Sequence, residues 1–175
     1  MRYLDVACRL VLATVFIVAA FTKVSGKGGW VAFVRSLRQL DQVPVSLVQP
    51  VAVAVVVVEA LVVVLLLAPV RLAGSVGFAL AGALLLTFTV VIGRALSRGN
   101  RAPCRCFGAS NTPLGLPHVV RNLMLVCVVL LGLAGASAYG TLDVPYALLA
   151  GAVGLVAGIL ITAFEDIVAL IRPVG

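Results

Sequence analysis

The chain has 175 residues, of which 63% are hydrophobic and only 11% are charged, with a formal net charge of +7. A soluble domain is about 45–50% apolar and about 25% charged, so this composition excludes an ordinary soluble domain and predicts one transmembrane domain over residues 1–175. The positive charge lies mainly in loops rather than along a helix face, which favours contacts with lipid headgroups over contacts with nucleic acid.

The first predicted span covers residues 4–24, because about 20 mostly apolar residues are needed to cross a bilayer as a helix. This stretch is longer than the apolar region of a signal peptide, and it continues into the tract FTKVSGKGGW rather than into a small-residue cleavage site. We therefore expect a retained membrane helix at this position.

An amphipathic segment follows in residues 25–44. Apolar side chains such as Trp30 and Phe33 recur there at helical spacing, whereas Arg35 and Arg38 fall on other faces. This pattern predicts a short helix that lies at the membrane interface.

The second and third spans are predicted at residues 45–68 and 72–96, with Pro69 between them. Because the connection is only a few residues long, the two helices must be antiparallel neighbours. Their valine runs would suggest strands in a soluble protein. In lipid, however, the backbone must satisfy its own hydrogen bonds, so the same runs predict helix.

Glu59 lies near the middle of the second span, at a depth where an ionisable group is costly and usually faces the bundle interior. It has three candidate cationic partners, Lys23, Arg94 and Arg121. One interpretation is a proton carrier or a partner for a buried cation. The other is a neutral carboxylic acid with one interhelical hydrogen bond, in which case Lys23 extends to the interface by itself.

A polar loop rich in proline and glycine is predicted over residues 97–117, and it separates the third span from the fourth at 118–138. The fifth span, at 145–164, contains Gly154 and Gly158 at a spacing that permits close helix approach, which we interpret as internal packing. The fold class is therefore an all-α integral membrane protein. It has a four-helix transmembrane bundle, a fifth transmembrane helix, and an interfacial amphipathic helix after the first span.

Cys104 and Cys106 form a C-x-C pair in this loop, with Arg105 between them to favour the thiolate. A C-x-C disulfide closes a very small ring, so it is strained and easily reduced, as an exchanging pair requires. Metal binding is a second interpretation. Zinc needs about four ligands, though, and the only histidine is His118, so a metal would need a partner chain. The third interpretation is a chemically inert pair of thiols. Among the three, we favour redox exchange.

Cys8 and Cys127 each stand alone in an apolar span, where a thiol is usually a small buried hydrophobe. At 1.5 Å per residue the two lie at depths that differ by about 10 Å. Bridged cysteines need Cα atoms within about 7 Å. We therefore expect no disulfide between Cys8 and Cys127.

Five tracts together resemble the methylamine-utilisation MauE family, which is related to DoxX-like membrane proteins. They are a first span that ends in lysine (FTKVSG), a glutamate in the second span (VVVVEALVVV), an Arg-Gly before the cysteines (SRGNRAPCRCFG), the tract CRCFG, and an Arg-Asn at the start of the fourth span (VVRNLML). The resemblance covers roughly residues 4–135, and its most specific part is C-x-C-F-G followed by RN.

The resemblance implies a multi-pass protein of the bacterial plasma membrane. In the family, the assigned role is maturation of a disulfide-rich periplasmic enzyme subunit, alongside a thioredoxin-like partner. Transferred residue by residue, the resemblance makes Cys104 and Cys106 the redox pair. The supporting positions that it implies are Lys23, Glu59, Arg121 and Asn122.

Two arguments disagree on the side of the membrane that holds the cysteine loop. The positive-inside rule puts this more basic side in the cytoplasm. Disulfide formation, in contrast, belongs on the oxidising side. A fold-level similarity to the vitamin-K-epoxide-reductase bundle also places such a loop outside. We expect the extracytoplasmic side.

Three functional hypotheses follow. The first is a thiol–disulfide oxidoreductase that exchanges with a thioredoxin-like partner and passes electrons to or from a quinone in the bundle. The second is a transmembrane thiol conduit through Cys127 and Cys8. The third is a non-catalytic assembly factor or transporter with structural cysteines. No nucleotide-binding loop, catalytic triad or helical metal motif supports another class, and no metal ion is expected.

Overall fold

A computed structural model describes residues 2–99, 115–136 and 143–171, apart from the side chains of Lys27 and of residues 165–171. A 3-10 turn at Val45–Leu47 leads into the third helix, and no β-strand occurs in these ranges. The helices in this part of the chain are α1 (Arg2–Val24), α2 (Gly26–Gln39), α3 (Val48–Leu67), α4 (Arg71–Ser97), α5 (Leu116–Ala136) and α6 (Val144–Ile171).

Five segments in this part of the chain are long and apolar enough to cross a membrane. They are α1, α4 and α5, together with Val45–Leu67 and Val144–Phe164. The valine runs are helical, and most predicted boundaries lie within two residues of these segments. The all-α fold class with five spans and one additional helix is therefore confirmed.

The first helix, α1, lies at the centre of the packing. It contacts α3, α5 and α6, while α4 packs against α3 and α5. Helices α1, α3, α4 and α5 thus form a four-helix bundle whose core includes the fully buried Phe16, Phe78, Leu85 and Leu125. Helix α6 is the additional span, and it packs mainly on the outside of α1.

Two glycines bring α6 close to α1. A Cβ atom at Gly154 would press on the backbone of Ala7, and one at Gly158 would press on the Val11 backbone and the Thr14 side chain. Close approach of this kind maximises van der Waals contact between helices in lipid. The interpretation of Gly154 and Gly158 as an internal packing motif is confirmed.

The amphipathic helix α2 packs its apolar face onto the start of α3. Phe33 and Leu37 are buried there against Val48 and Ala52. The arginines of α2 face outward, because Arg35 and Arg38 are exposed. Helix α2 therefore covers the flank of the bundle near the end of α1.

Candidate functional site

An ion pair between α1 and α3 lies inside the bundle. The Nζ of Lys23 is 2.6 Å from Oε1 of Glu59, and the two side chains are 1% and 0% exposed. The prediction that Glu59 faces other helices is confirmed. Of the three candidate cations, Lys23 is the one that pairs with it, whereas Arg94 is exposed on α4. Lys23 therefore does not extend to the interface.

The surroundings of Lys23 keep water away from the pair. Its Nζ also donates a hydrogen bond to the carbonyl oxygen of Ala19, at 3.2 Å. The ring of Phe33 lies with its centroid 5.1 Å from the same nitrogen, which allows a cation–π contact. Lys23 is in the last turn of α1, where the helix dipole favours a positive charge. Three helices, α1, α2 and α3, thus enclose the ammonium group.

Helix α5 adds two polar side chains to the same part of the interior. Arg121 is 1% exposed and Asn122 is 0% exposed. Arg121 is close enough to Lys23 for the two positive charges to repel each other. We refer to Lys23, Glu59, Arg121 and Asn122 as the polar cluster, and all four are the positions that the family resemblance implied.

Two members of the polar cluster have hydrogen-bonding capacity that the described residues do not use. Neither Nδ2 nor Oδ1 of Asn122 has a partner there, and Oε2 of Glu59 has none either. Leaving a buried amide unpaired costs about 1–3 kcal/mol. Buried polar groups in proteins are nearly always hydrogen-bonded, so each exception needs an explanation, and a catalytic role or a bound water or ion are among those known.

The polar cluster lies at one end of the bundle. Lys23 is one residue from the end of α1, and Arg121 lies five residues after the start of α5, about 7.5 Å along the helix. Residues 98–115, which join α4 to α5, are attached at this same end. They include Cys104 and Cys106, which lie outside the described residues. The polar cluster therefore underlies the attachment points of the cysteine segment.

Sequence reasoning considered His118 only as a metal ligand and overlooked its place on the helix. It is 3% exposed and precedes Arg121 and Asn122 by three and four residues. These spacings put all three side chains on one face of α5. Three polar residues at helical spacing in an apolar span were the signal for an inward-facing polar stripe.

The opposite end of the bundle holds a second ion pair, which was not predicted from the sequence. Arg9 donates from Nε to Oδ1 of Asp5 at 3.0 Å. Its Nη1 donates to the carbonyl oxygen of Ala68 at 3.1 Å and to that of Leu66 at 3.4 Å. A Cβ atom at Gly74 would collide with the guanidinium. Arg9 thus ties α1 to the end of α3 through a gap that Gly74 leaves open.

The two lone cysteines differ in exposure. Cys8 is buried, as expected, but Cys127 is exposed on the outside of α5, so its interpretation as a buried residue was wrong. The outer face of a membrane helix contacts lipid and is as apolar as the core, so hydropathy does not separate the two positions. Both thiols are free, which confirms that they are not bonded to each other.

Comparison with known proteins gives a consistent result. A family model described as methylamine utilisation protein MauE matches residues 1–135. The methylamine utilization protein MauE of Paracoccus denitrificans is 35% identical over 157 residues, which is 87% of this chain and 78% of that protein. No solved structure matches the chain.

Proposed function

The chain belongs to the MauE family of multi-pass membrane proteins, and on that premise we propose that it is a thiol–disulfide redox protein of the bacterial plasma membrane. In this proposal Cys104 and Cys106 exchange with a thioredoxin-like partner on the extracytoplasmic side. The exchange supports maturation of an extracytoplasmic protein. The name of the Paracoccus relative assigns that protein to methylamine utilisation, and we propose the same setting here.

The observation that carries the proposal is the polar cluster at the end of the bundle to which the cysteine segment is attached. Charged groups inside a membrane domain are costly, and they commonly mark functional sites. Thiol exchange proceeds through a thiolate, which nearby positive charge stabilises. Lys23 and Arg121 are two buried cations at this end, and Lys23 is paired with Glu59.

The proposed reaction conserves electrons and protons. The oxidised Cys104–Cys106 pair accepts two electrons and two protons from a dithiol of the partner, so the partner gains a disulfide and the pair becomes two thiols. Return to the disulfide state needs a two-electron acceptor, and a membrane quinone is the candidate. The Asn122 amide suits the recognition of such a molecule, because Nδ2 is buried and has no partner among the described residues.

The conduit hypothesis receives less support. It requires Cys8 and Cys127 to act as successive stations for electrons. Cys8 is buried in α1, while Cys127 lies on the outside of α5. This difference favours exchange at the Cys104–Cys106 pair.

Thiol trapping in intact cells tests the proposal. The Cys8→Ala and Cys127→Ala changes together leave only the Cys104–Cys106 pair to react. A membrane-impermeant maleimide should label both remaining thiols after mild reduction and neither after mild oxidation. Cys104→Ser should leave Cys106 labelled in both states, as a control for the mutual disulfide.

Three results would contradict the proposal. Thiols that stay free after mild oxidation would favour an assembly factor with inert cysteines. Labelling that appears only in permeabilised cells would put the pair in the cytoplasm. Loss of exchange with a purified thioredoxin-like protein in the Cys8→Ala, Cys127→Ala background, with the fold intact, would favour the conduit.

A further inference from the structure

A cavity at the bundle end opposite the polar cluster has a basic lining. Its volume is about 260 Å³, and Arg2, Arg9 and Arg71 line it together with Asp5. We refer to this cavity as the arginine pocket. Its lining has three guanidinium groups and one carboxylate, and this balance of charge favours an anion. The pocket lies where α1 and α4 begin and where α5 ends.

An apolar groove adjoins the arginine pocket. It has a volume of about 800 Å³, runs between α1 and α6, and is lined by side chains such as Leu10, Leu148 and Leu155. Val6 lines both the groove and the arginine pocket, so the two are adjacent. Along α6 the groove extends from Val144 to Val156, about 18 Å at the helical rise. One leaflet of the hydrocarbon core is about 15 Å thick.

The residues around this junction are typical of the membrane–water interface. Tyr3 and Tyr146 meet edge to face with their ring centroids 6.0 Å apart. The hydroxyl of Tyr3 donates to Asp143 at 3.4 Å and accepts from the Asp143 backbone N–H at 3.1 Å. Tyrosine is enriched at the level of the lipid headgroups. The arginine pocket is therefore at headgroup depth, and the groove leads from it into the hydrocarbon region.

We propose that this composite site binds an anionic glycerophospholipid, with its phosphate in the arginine pocket and one acyl chain in the groove. A free phosphate would use only the pocket, and a lipid without a phosphate would use only the groove. The two adjacent parts together match a molecule that has both an anionic headgroup and an acyl chain. Basic pockets between transmembrane helices are known recognition sites for anionic lipid headgroups.

Such a lipid would connect α6 with α4 and α5, with which α6 has few direct contacts. The pocket draws on α1, α4 and α5, whereas the groove belongs to α1 and α6. A ligand that binds only the folded state stabilises it in proportion to its affinity and concentration. Bound lipid should therefore raise the stability of the whole bundle and of the attachment of α6.

Native mass spectrometry of the delipidated full chain in detergent tests the site. Phosphatidylglycerol and phosphatidylcholine with identical acyl chains are compared as ligands, together with inorganic phosphate. Wild-type protein should bind phosphatidylglycerol more tightly than phosphatidylcholine. The double variant R2Q/R71Q should lose about thirtyfold in phosphatidylglycerol affinity, or about fivefold per arginine, and distinctly less in phosphatidylcholine affinity, because the choline cation of that lipid offsets the charge of its phosphate. Arg9 is left intact because it also holds the end of α3.

Matched controls separate the two parts of the site. R94Q/R98Q removes two exposed arginines at the other end of the bundle and should leave phosphatidylglycerol affinity within twofold. Ala152→Phe, at an exposed position that lines the groove, should weaken both lipids, whereas Ala54→Phe, exposed on α3, should weaken neither.

Several outcomes would overturn the proposal. Equal affinity for the two lipids in wild-type protein would remove the role of the arginines. An effect of R94Q/R98Q equal to that of R2Q/R71Q would show non-specific attraction. An affinity for inorganic phosphate equal to that for phosphatidylglycerol would mean an anion site without a lipid chain. A dimer that Ala152→Phe dissociates would assign the groove to a second copy of the chain.

Discussion

The two ends of the bundle each hold an ion pair that includes a residue of α1, but the pairs have different environments. Lys23 and Glu59 are 2.6 Å apart and are 1% and 0% exposed, and they join α1 to α3. Arg9 and Asp5 are 3.0 Å apart, lie one turn apart on α1, and are 13% and 18% exposed. The distances differ little, so the difference in burial decides how much each pair contributes to stability. We call the bundle end that holds the buried Lys23–Glu59 pair the closed end, and the end that holds the partly exposed Arg9–Asp5 pair the open end. The closed end suits chemistry that excludes water, and the open end suits reversible binding of a headgroup.

The largest expected effect comes from removing one partner of the closed pair. Lys23→Met leaves the Glu59 carboxylate buried without its cation and should lower the free energy of unfolding by about 3–5 kcal/mol. The double variant Lys23→Met with Glu59→Leu should recover most of that loss, since no charge remains to be buried. Denaturant titration in detergent micelles measures both. A Lys23→Met protein as stable as the wild type would mean that the buried pair is not a structural contact.

A smaller effect is expected at the open pair. Arg9→Gln removes charge-assisted hydrogen bonds to Asp5 and to the end of α3, and partial exposure reduces their worth to about 1–2 kcal/mol. Gly74→Ala should cost a similar amount, because its Cβ displaces the guanidinium. Gly93→Ala is the matched control, since nothing lies within 4 Å of a Cβ there. The same unfolding measurement applies to all three.

A high salt concentration should change the stability cost of the two substitutions to different extents. At 1 M salt the screening length is about 3 Å, so the cost of Arg9→Gln should shrink while that of Lys23→Met should not. If salt reduced both costs equally, water would reach Lys23 and Glu59, and the closed end would not be closed.

The smallest effect on stability is expected for Asn122→Leu, which tests the proposed chemistry at the closed end. Asn122 makes no side-chain hydrogen bond to the described residues, so leucine of similar size should leave the free energy of unfolding within about 1 kcal/mol or raise it. Thiol exchange at Cys104 and Cys106 should nevertheless slow. A large loss of stability together with an unchanged exchange rate would make Asn122 a structural residue.

The spans and the burial of Glu59 were predictable from sequence for the same reason. Lipid cannot satisfy a backbone amide or a carboxyl group, so hydropathy and depth suffice to place both. The contact between α6 and α1 was partly predictable as well. The small residues Gly154 and Gly158 indicated where two helices could approach, although they did not identify the partner helix.

The partner of Glu59 and the exposure of Cys127 could not be predicted, because the sequence pattern does not give the orientation of each helix in the bundle. Choosing Lys23 over Arg94 requires the rotation and depth of each helix in the bundle. In lipid the inner and outer faces are equally apolar, so the spacing of apolar residues does not reveal that rotation. Arg9 was missed for a related reason. Its role depends on a gap at Gly74 and on the carbonyl groups at the end of α3, which come together only in the folded bundle.

The spacing of the buried pair along the chain has a consequence for insertion into the membrane. Lys23 leaves the ribosome 36 residues before Glu59, and α1 is the helix on which α3, α5 and α6 later pack. Until α3 arrives, the long side chain of Lys23 can reach the headgroups from the end of α1. Glu59, near mid-span, has no comparable route to water. Lys23 is therefore synthesised first, and its ammonium group is already in place when the carboxyl group of Glu59 enters the bilayer.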